Sequence, residues 1–250
     1  KEVIILGIVQ GIFEWFPVSS SGHLIIFLKF FNFKVDITFD VFLHLSSLVA
    51  IFIFFWKDIK EIGSKFFTFQ KETYEFKIGI YIIISSIITG FIGFFLKDHI
   101  TIFENFKLLS FAFLFTSILL LLTGIKKIEK NRKVDIKTSF ISGIFQGIAL
   151  IPGVSRSGAT ICSCLIAGVN REDAFRYSFL LGIPAILGAI IIEIPEIKLY
   201  NPTFLLTGFT ISLFISFISL FLLKNIFLRG KFYLFGFYTL IVSILLLFIH

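Results

Sequence analysis

Apolar residues run in long stretches along this chain, and the charged ones gather between them. A hydrocarbon core of about 30 Å needs about 20 apolar residues of helix. Six stretches meet that length: residues 39–56, 78–96, 106–125, 174–195, 203–223 and 232–249. Two further apolar regions are interrupted. Residues 3–33 break at Pro17-Val18-Ser19-Ser20-Ser21-Gly22, and residues 138–169 break at Pro152-Gly153-Val154-Ser155-Arg156-Ser157-Gly158. Each break leaves two half-length helices around a polar turn, the pattern of a re-entrant helical hairpin. Irregular backbone at membrane depth is tolerated only where protein buries it or where it lines a cavity. Two kinked full spans are the alternative.

Composition points the same way. Hydrophobic residues make up 57% of the 250 and charged residues 16%, against roughly 25% charged in a soluble domain. With 23 basic and 16 acidic side chains there is too little polar surface to cover a soluble fold of this length. That excludes a soluble enzyme, a disordered chain and a nucleic-acid binder. The net charge of +7 fits instead the gathering of Lys and Arg in cytoplasmic loops. Residues 126–137 hold six basic and two acidic residues, residues 57–77 hold five and four, and residues 224–231 hold Lys224, Arg229 and Lys231. These three loops fall on one side when both broken regions are re-entrant. Hairpin 138–169 then enters from the cytoplasm, hairpin 3–33 enters from outside, and both termini lie outside. Counting each broken region as one span separates 224–231 from the other two. The apolar run 3–16 contains Glu14 and is followed by no A-x-A-like site, so it reads as structure and not as a signal peptide. Cys162 and Cys164 are too close for an easy disulfide and too few for a metal site.

The expected fold is therefore an all-α integral membrane protein. It forms a single domain over 1–250, with six transmembrane helices plus two re-entrant helical hairpins. The hairpins are copies. Residues 7–22 (GIVQGIFEWFPVSSSG) and 143–158 (GIFQGIALIPGVSRSG) match at nine of 16 positions at an offset of 136, including Gln10/Gln146, Ser19/Ser155, Ser21/Ser157 and Gly22/Gly158. Because they enter from opposite faces they form an inverted-topology repeat, with halves at 1–125 and 138–250. In such an architecture the site lies where the discontinuous helices meet.

The copies differ where chemistry resides. Glu14 stands opposite Leu150, and Ser20 opposite Arg156. The first hairpin supplies Gln10, Glu14, Ser19, Ser20, Ser21 and His23; the second supplies Ser155, Arg156, Ser157, Gly158 and Thr160. Gln10 and Glu14 share a helix face. An arginine at membrane depth costs about 2.5–3.5 kcal/mol on insertion scales, so Arg156 needs Glu14 or an anionic ligand beside it. Its planar fork suits phosphate, and N–H groups at a helix start favour anions. Hydroxyls, an arginine and a helix start describe a phosphate cradle; Glu and His add proton transfer. Serines beside a break also serve as plain helix caps, and Glu14 with Arg156 also reads as a structural ion pair. His44 reads as a packing or cavity-wall residue; His99 and His250 carry no assignment.

The run from Gln10 to His23 resembles the [E/Q]xxxE–PVSSSGH signature of the undecaprenyl-diphosphate phosphatases, the bacitracin-resistance family. Pro152 to Thr160 matches its PGxSRSxxT signature at every fixed position, and the likeness extends through Leu43-His44-Leu45, Phe55 to Asp58, Arg171 to Phe175 and Ser178 to Ala189. Gln10 stands where many members have Glu, which leaves Glu14 the proton chemistry and Gln10 a binding role. The resemblance implies hydrolysis of undecaprenyl diphosphate to undecaprenyl phosphate and inorganic phosphate, recycling the carrier for peptidoglycan. It also implies a divalent cation, Mg²⁺ or Ca²⁺, bridged by phosphate to Glu14, and a site on the outer face of the bacterial cytoplasmic membrane.

On that reading Arg156, with Gln10, Ser19, Ser21, Ser155, Ser157, Gly158 and Thr160, binds the diphosphate. Ser20 or a water attacks, and Glu14 or His23 takes the proton. Two rivals stand beside it. PAP2-type lipid phosphatases share Ser21-Gly22-His23 but need an S-R-x5-H run, and residues 155–163 contain no His. A carrier flippase would use the same inverted repeat.

Overall fold

In the computed structural model, residues 2–31, 37–125, 131–193 and 201–249 are described, and every regular element among them is helical. In chain order these are α1 (Glu2–Phe13), α2 (Ser20–Phe31), α3 (Ile37–Phe54), α4 (Trp56–Phe67), α5 (Tyr74–Leu96), a 3₁₀ segment (Lys97–Glu104), α6 (Phe106–Ile125), α7 (Ile136–Ile148), α8 (Arg156–Ile166), α9 (Arg171–Glu193), α10 (Pro202–Leu228) and α11 (Leu234–Leu247). Among the described residues, four segments are long and apolar enough to cross a membrane: Tyr74–Ile100, Phe106–Gly124, Arg171–Ile192 and Pro202–Leu228. The pair Phe42–Phe54 and Trp56–Phe67, bent by 78°, adds a fifth if counted as one span. The outward faces of α5 and α10 carry exposed Ile83, Ile87, Phe91, Leu206, Phe214 and Phe221. A soluble fold would bury them; a lipid-facing surface leaves them out.

Three departures from the sequence reading have physical causes. Residues 57–77 are not all loop, because α4 occupies Trp56–Phe67. Its Ile59, Ile62 and Phe66 recur at helical spacing and are all half-buried, so a charged stretch still has an apolar face to bury. Helix α10 runs to Leu228, beyond residue 223, and Lys224 remains within it with its ammonium 5.8 Å from the Phe54 ring centre. Helix α11 has 14 residues, short of the about 20 that a perpendicular span needs; a turn at Lys231–Tyr233 precedes it.

Both breaks appear where the sequence places them, between α1 and α2 and between α7 and α8. The repeat governs their packing. α1 lies against α10, and α7 against α5, so each half lends its first helix to the other half. Glycines permit the approach. A Cβ on Gly11 would come 2.7 Å from Ile215 Cβ and 2.8 Å from the Ser212 carbonyl. Its counterpart Gly147 faces Ile92 in the same way, with Cβ atoms 2.8 Å apart if one were added. Gly7 and Gly143, one turn earlier, repeat the contact with Ile211 and Ile88. These are small-xxx-small seams, which membrane helices use to bring backbones together. α6 and α11 are joined reciprocally: Ser110 Oγ donates to Ser243 O at 2.7 Å, and Ser243 Oγ donates to Ser110 O at 2.9 Å.

Candidate active site

The two breaks are built alike before they differ. Ser155 caps α8, its Oγ accepting from Gly158 N at 3.1 Å. Ser19 does the same for α2, accepting from Gly22 N at 3.3 Å. Each cap also meets the serine two residues on, Ser155 with Ser157 at 3.3 Å and Ser19 with Ser21 at 3.4 Å. A capping hydroxyl satisfies one of the donors that a helix start leaves over. Gly153 has φ +92° and Ser19 φ +68°. Gly153 accepts this freely; Ser19 is held there by its bonds. Its Oγ accepts from Gly153 N at 3.1 Å, and its carbonyl accepts from His23 Nδ1 at 2.8 Å. The first of these bonds ties one break to the other. Thr116 on α6 braces the second break, donating to Gly153 O at 2.9 Å and accepting from Ser155 N at 3.1 Å.

Glu14 sits at the meeting point. Its Oε2 accepts from Ser20 Oγ at 2.7 Å and from Gln10 Nε2 at 3.2 Å; its Oε1 accepts from Arg156 Nη2 at 2.8 Å. The Glu14 side chain is 7% exposed and that of Arg156 15%. Each therefore offsets the other's desolvation, and truncating one partner of such a pair costs about 3–5 kcal/mol. Arg156 lies over the Trp15 ring, 5.8 Å from its centre. Arg156 Nη1 and Trp15 Nε1 are buried donors with no protein partner. Buried donors left unmet are costly, and one of them belongs to the guanidinium that shares Glu14 with Ser20.

The remaining predicted residues fall into place around this centre. His23 has both ring nitrogens engaged. Nδ1 must donate to the Ser19 carbonyl, so Nε2 accepts from the Tyr238 hydroxyl at 2.8 Å. The ring stacks 4.0 Å from Phe13. The group touching the Ser20 hydroxyl is Glu14. Ser157 Oγ donates to Trp15 O at 3.1 Å. Thr160 bonds to the Arg156 carbonyl at 2.8 Å and to the Ser178 hydroxyl, which turns it toward α9. The Gly158 N–H is committed to the Ser155 cap, so Arg156 and Ser157 are left to present N–H groups at the start of α8. Ser21 is exposed, and Gln10 is buried.

Sequence reasoning missed several members. Tyr238, Thr116 and Trp15 come from elements far apart in the chain or from between motif positions.

The sequence profile described as "Bacitracin resistance protein BacA" matches residues 3–245. The chain belongs to this family. Curated BacA-family relatives named undecaprenyl-diphosphatase agree along their whole length. The one from Thermosipho africanus is 40% identical, covering 98% of both chains. The one from Methanococcus vannielii is 36% identical over 99% of both. That of Methanosphaera stadtmanae is 38% identical, over 98% of this chain and 95% of its own.

Among the described residues no three His, Cys, Asp or Glu side chains cluster, so an all-protein metal cage is not what these residues make. One buried carboxylate fits a divalent ion held mainly by the substrate's phosphate oxygens, since Mg²⁺ is bound through one or two carboxylates plus substrate phosphates. Glu14 is the carboxylate that would hold it.

Proposed function

We propose that the protein hydrolyses undecaprenyl diphosphate to undecaprenyl phosphate and inorganic phosphate, at a site that the two breaks build together. The observation that carries this is the Glu14 carboxylate. It joins the Ser20 hydroxyl of one copy to the Arg156 guanidinium of the other, and Arg156 keeps Nη1 without a protein partner. The relatives' shared name supports the substrate.

In this mechanism Arg156, with the N–H groups at the start of α8, holds the terminal phosphoryl group. Ser20 Oγ attacks its phosphorus while Glu14 takes the hydroxyl proton. The bond to the bridging oxygen breaks, and undecaprenyl phosphate leaves. Water then attacks the phosphoserine and Ser20 takes back a proton, releasing inorganic phosphate. A bound Mg²⁺ or Ca²⁺ supplies neutralisation of charge on the phosphate oxygens. Gln10 holds Glu14 in place, and His23 holds the Ser19 backbone.

The topology we assign is six spans with two re-entrant hairpins in an inverted repeat. The basic loops lie on the cytoplasmic side, and the site opens to the outer face of the cytoplasmic membrane. The three basic loops support it, as does the exchange of α1 and α7 between halves. The prenyl tail lies in the bilayer beside the exposed apolar faces.

The test is phosphate release from undecaprenyl diphosphate by purified protein in detergent, with and without EDTA, for wild type and Ser20→Ala. Release by the wild type and loss in Ser20→Ala are expected. No release by a folded wild type refutes the activity, and full release by Ser20→Ala refutes serine attack.

A further inference from the structure

Arg156 reaches Glu14 through Nη2, yet nothing on α8 fixes where the rest of the guanidinium lies. A third element does so. On α9, a Cβ added to Gly182 would come 2.8 Å from Arg156 Cζ and closer still to Nη1. The guanidinium occupies the space where any other residue at 182 would place its side chain. Elsewhere on α9, Gly188 has no neighbour within 4 Å of an added Cβ, so close packing is not a general reason for glycine in this helix.

The repeat supplies a second, independent observation. At the offset of 136, Arg156 corresponds to Ser20 and Gly182 to Ser46, and the flanking Phe39/Phe175 and Leu45/Leu181 agree at the same offset. Ser46 is fully buried and bonds to the Leu43 carbonyl at 2.6 Å. Helix α9 packs on α8 and carries no side chain at the position that meets the large arginine; in the copy whose helix start carries a small serine, the matching position keeps one.

We propose that Gly182 is the positioning residue for Arg156: its absent side chain is the seat that receives Nη1 and Cζ and so sets Nη2 on Glu14. The catalytic consequence rests on the phosphatase reading; the seating does not. Gly182→Ala pushes the guanidinium outward, and a reacting group misplaced by about 1 Å costs about 10²-fold in rate.

The experiment is a cycle of four proteins, all carrying Trp56→Phe: the parent, Gly182→Ala, Arg156→Lys and the double variant. The chain has two tryptophans, so Trp15, beside the guanidinium, becomes the sole emitter. Phosphate release and thermal melting are measured alongside, with Gly188→Ala as the control. We expect Gly182→Ala to shift Trp15 emission and to lower turnover about 10²-fold in the arginine background, with a cooperative melting transition retained. In the lysine background, which lacks the Nη atoms, it moves emission little. Gly188→Ala leaves all three readings unchanged. Equal emission shifts in both backgrounds, zero included, overturn the seat whether or not the protein releases phosphate. Wild-type turnover in Gly182→Ala overturns the catalytic consequence.

Discussion

The break before α2 and the break before α8 share a frame and divide the chemistry. In both, a serine caps the helix on the N–H of a glycine three residues on and contacts a serine two residues on. In both, a glycine-seamed first helix leans on the opposite half. Of the positions at which they differ, two carry the chemistry. One break holds Glu14 and Ser20; the other holds Leu150 and Arg156. A duplicated scaffold thus brings two helix starts together, and divergence at two positions makes them acid and hydroxyl on one side and cation on the other. Neither copy has the whole set, which is why the site exists only at their junction.

The sharpest way to break this comparison is to remove the acid from the copy that has it. Glu14→Gln keeps the shape and an acceptor for Ser20 but cannot take a proton, and phosphate release should fall about 10²–10⁴-fold. Release within a few-fold of wild type would mean that the asymmetry between the breaks is not the catalytic one.

A smaller effect tests whether the frames are equally tight. Gly11→Ala drives a Cβ toward the Ser212 carbonyl as well as Ile215, whereas Gly147→Ala meets the side chain of Ile92. Backbone cannot yield as a side chain can, and overpacking costs about 1–3 kcal/mol. Thermal melting in detergent should therefore place Gly11→Ala below Gly147→Ala, with both below wild type. The reverse order would show that the first seam is the looser.

The smallest effect concerns how the second unit is anchored. Asp135 caps α7, accepting from Thr138 N at 2.8 Å and Thr138 Oγ1 at 2.7 Å. Burial acts to raise its carboxyl. The two Thr138 bonds, with Arg132 and Lys137, outweigh that and hold it below its ordinary value of 3.8. A carboxyl lowered in the folded state contributes its stability above the unfolded value and loses it as pH falls through the folded one. Asp135→Ala should cost about 1 kcal/mol near pH 7, and melting curves of wild type and variant should converge as the pH falls below 3.8 and through the lowered folded value. A gap that persists in acid would assign the effect to packing.

Much of this was legible in the residues. The breaks, the repeat and the pairing of Glu14 with Arg156 follow from polar positions that an apolar segment has no other reason to keep. What stayed hidden depends on tertiary neighbours. The helical character of Trp56–Phe67 lay beneath its lysines, and the bend before it carries no proline or glycine. Ser19 adopts a conformation that glycine usually takes, because three bonds from α2 and the other break hold it. Tyr238 joins the site through a helix whose contacts only the folded chain defines. Of the predicted segments, residues 32–33, 126–130 and 194–200 lie outside the described residues.

The central claim is that residues from the two copies act as one unit on one phosphate. The kinetic cycle of Glu14→Gln, Arg156→Ala and the double variant tests it most directly, read as kcat/KM for phosphate release from undecaprenyl diphosphate. Groups that act as a unit are not additive when removed, so the double variant should be no more than a few-fold worse than the poorer single one. Losses that multiply across the cycle would contradict a shared site and leave the two breaks with separate tasks.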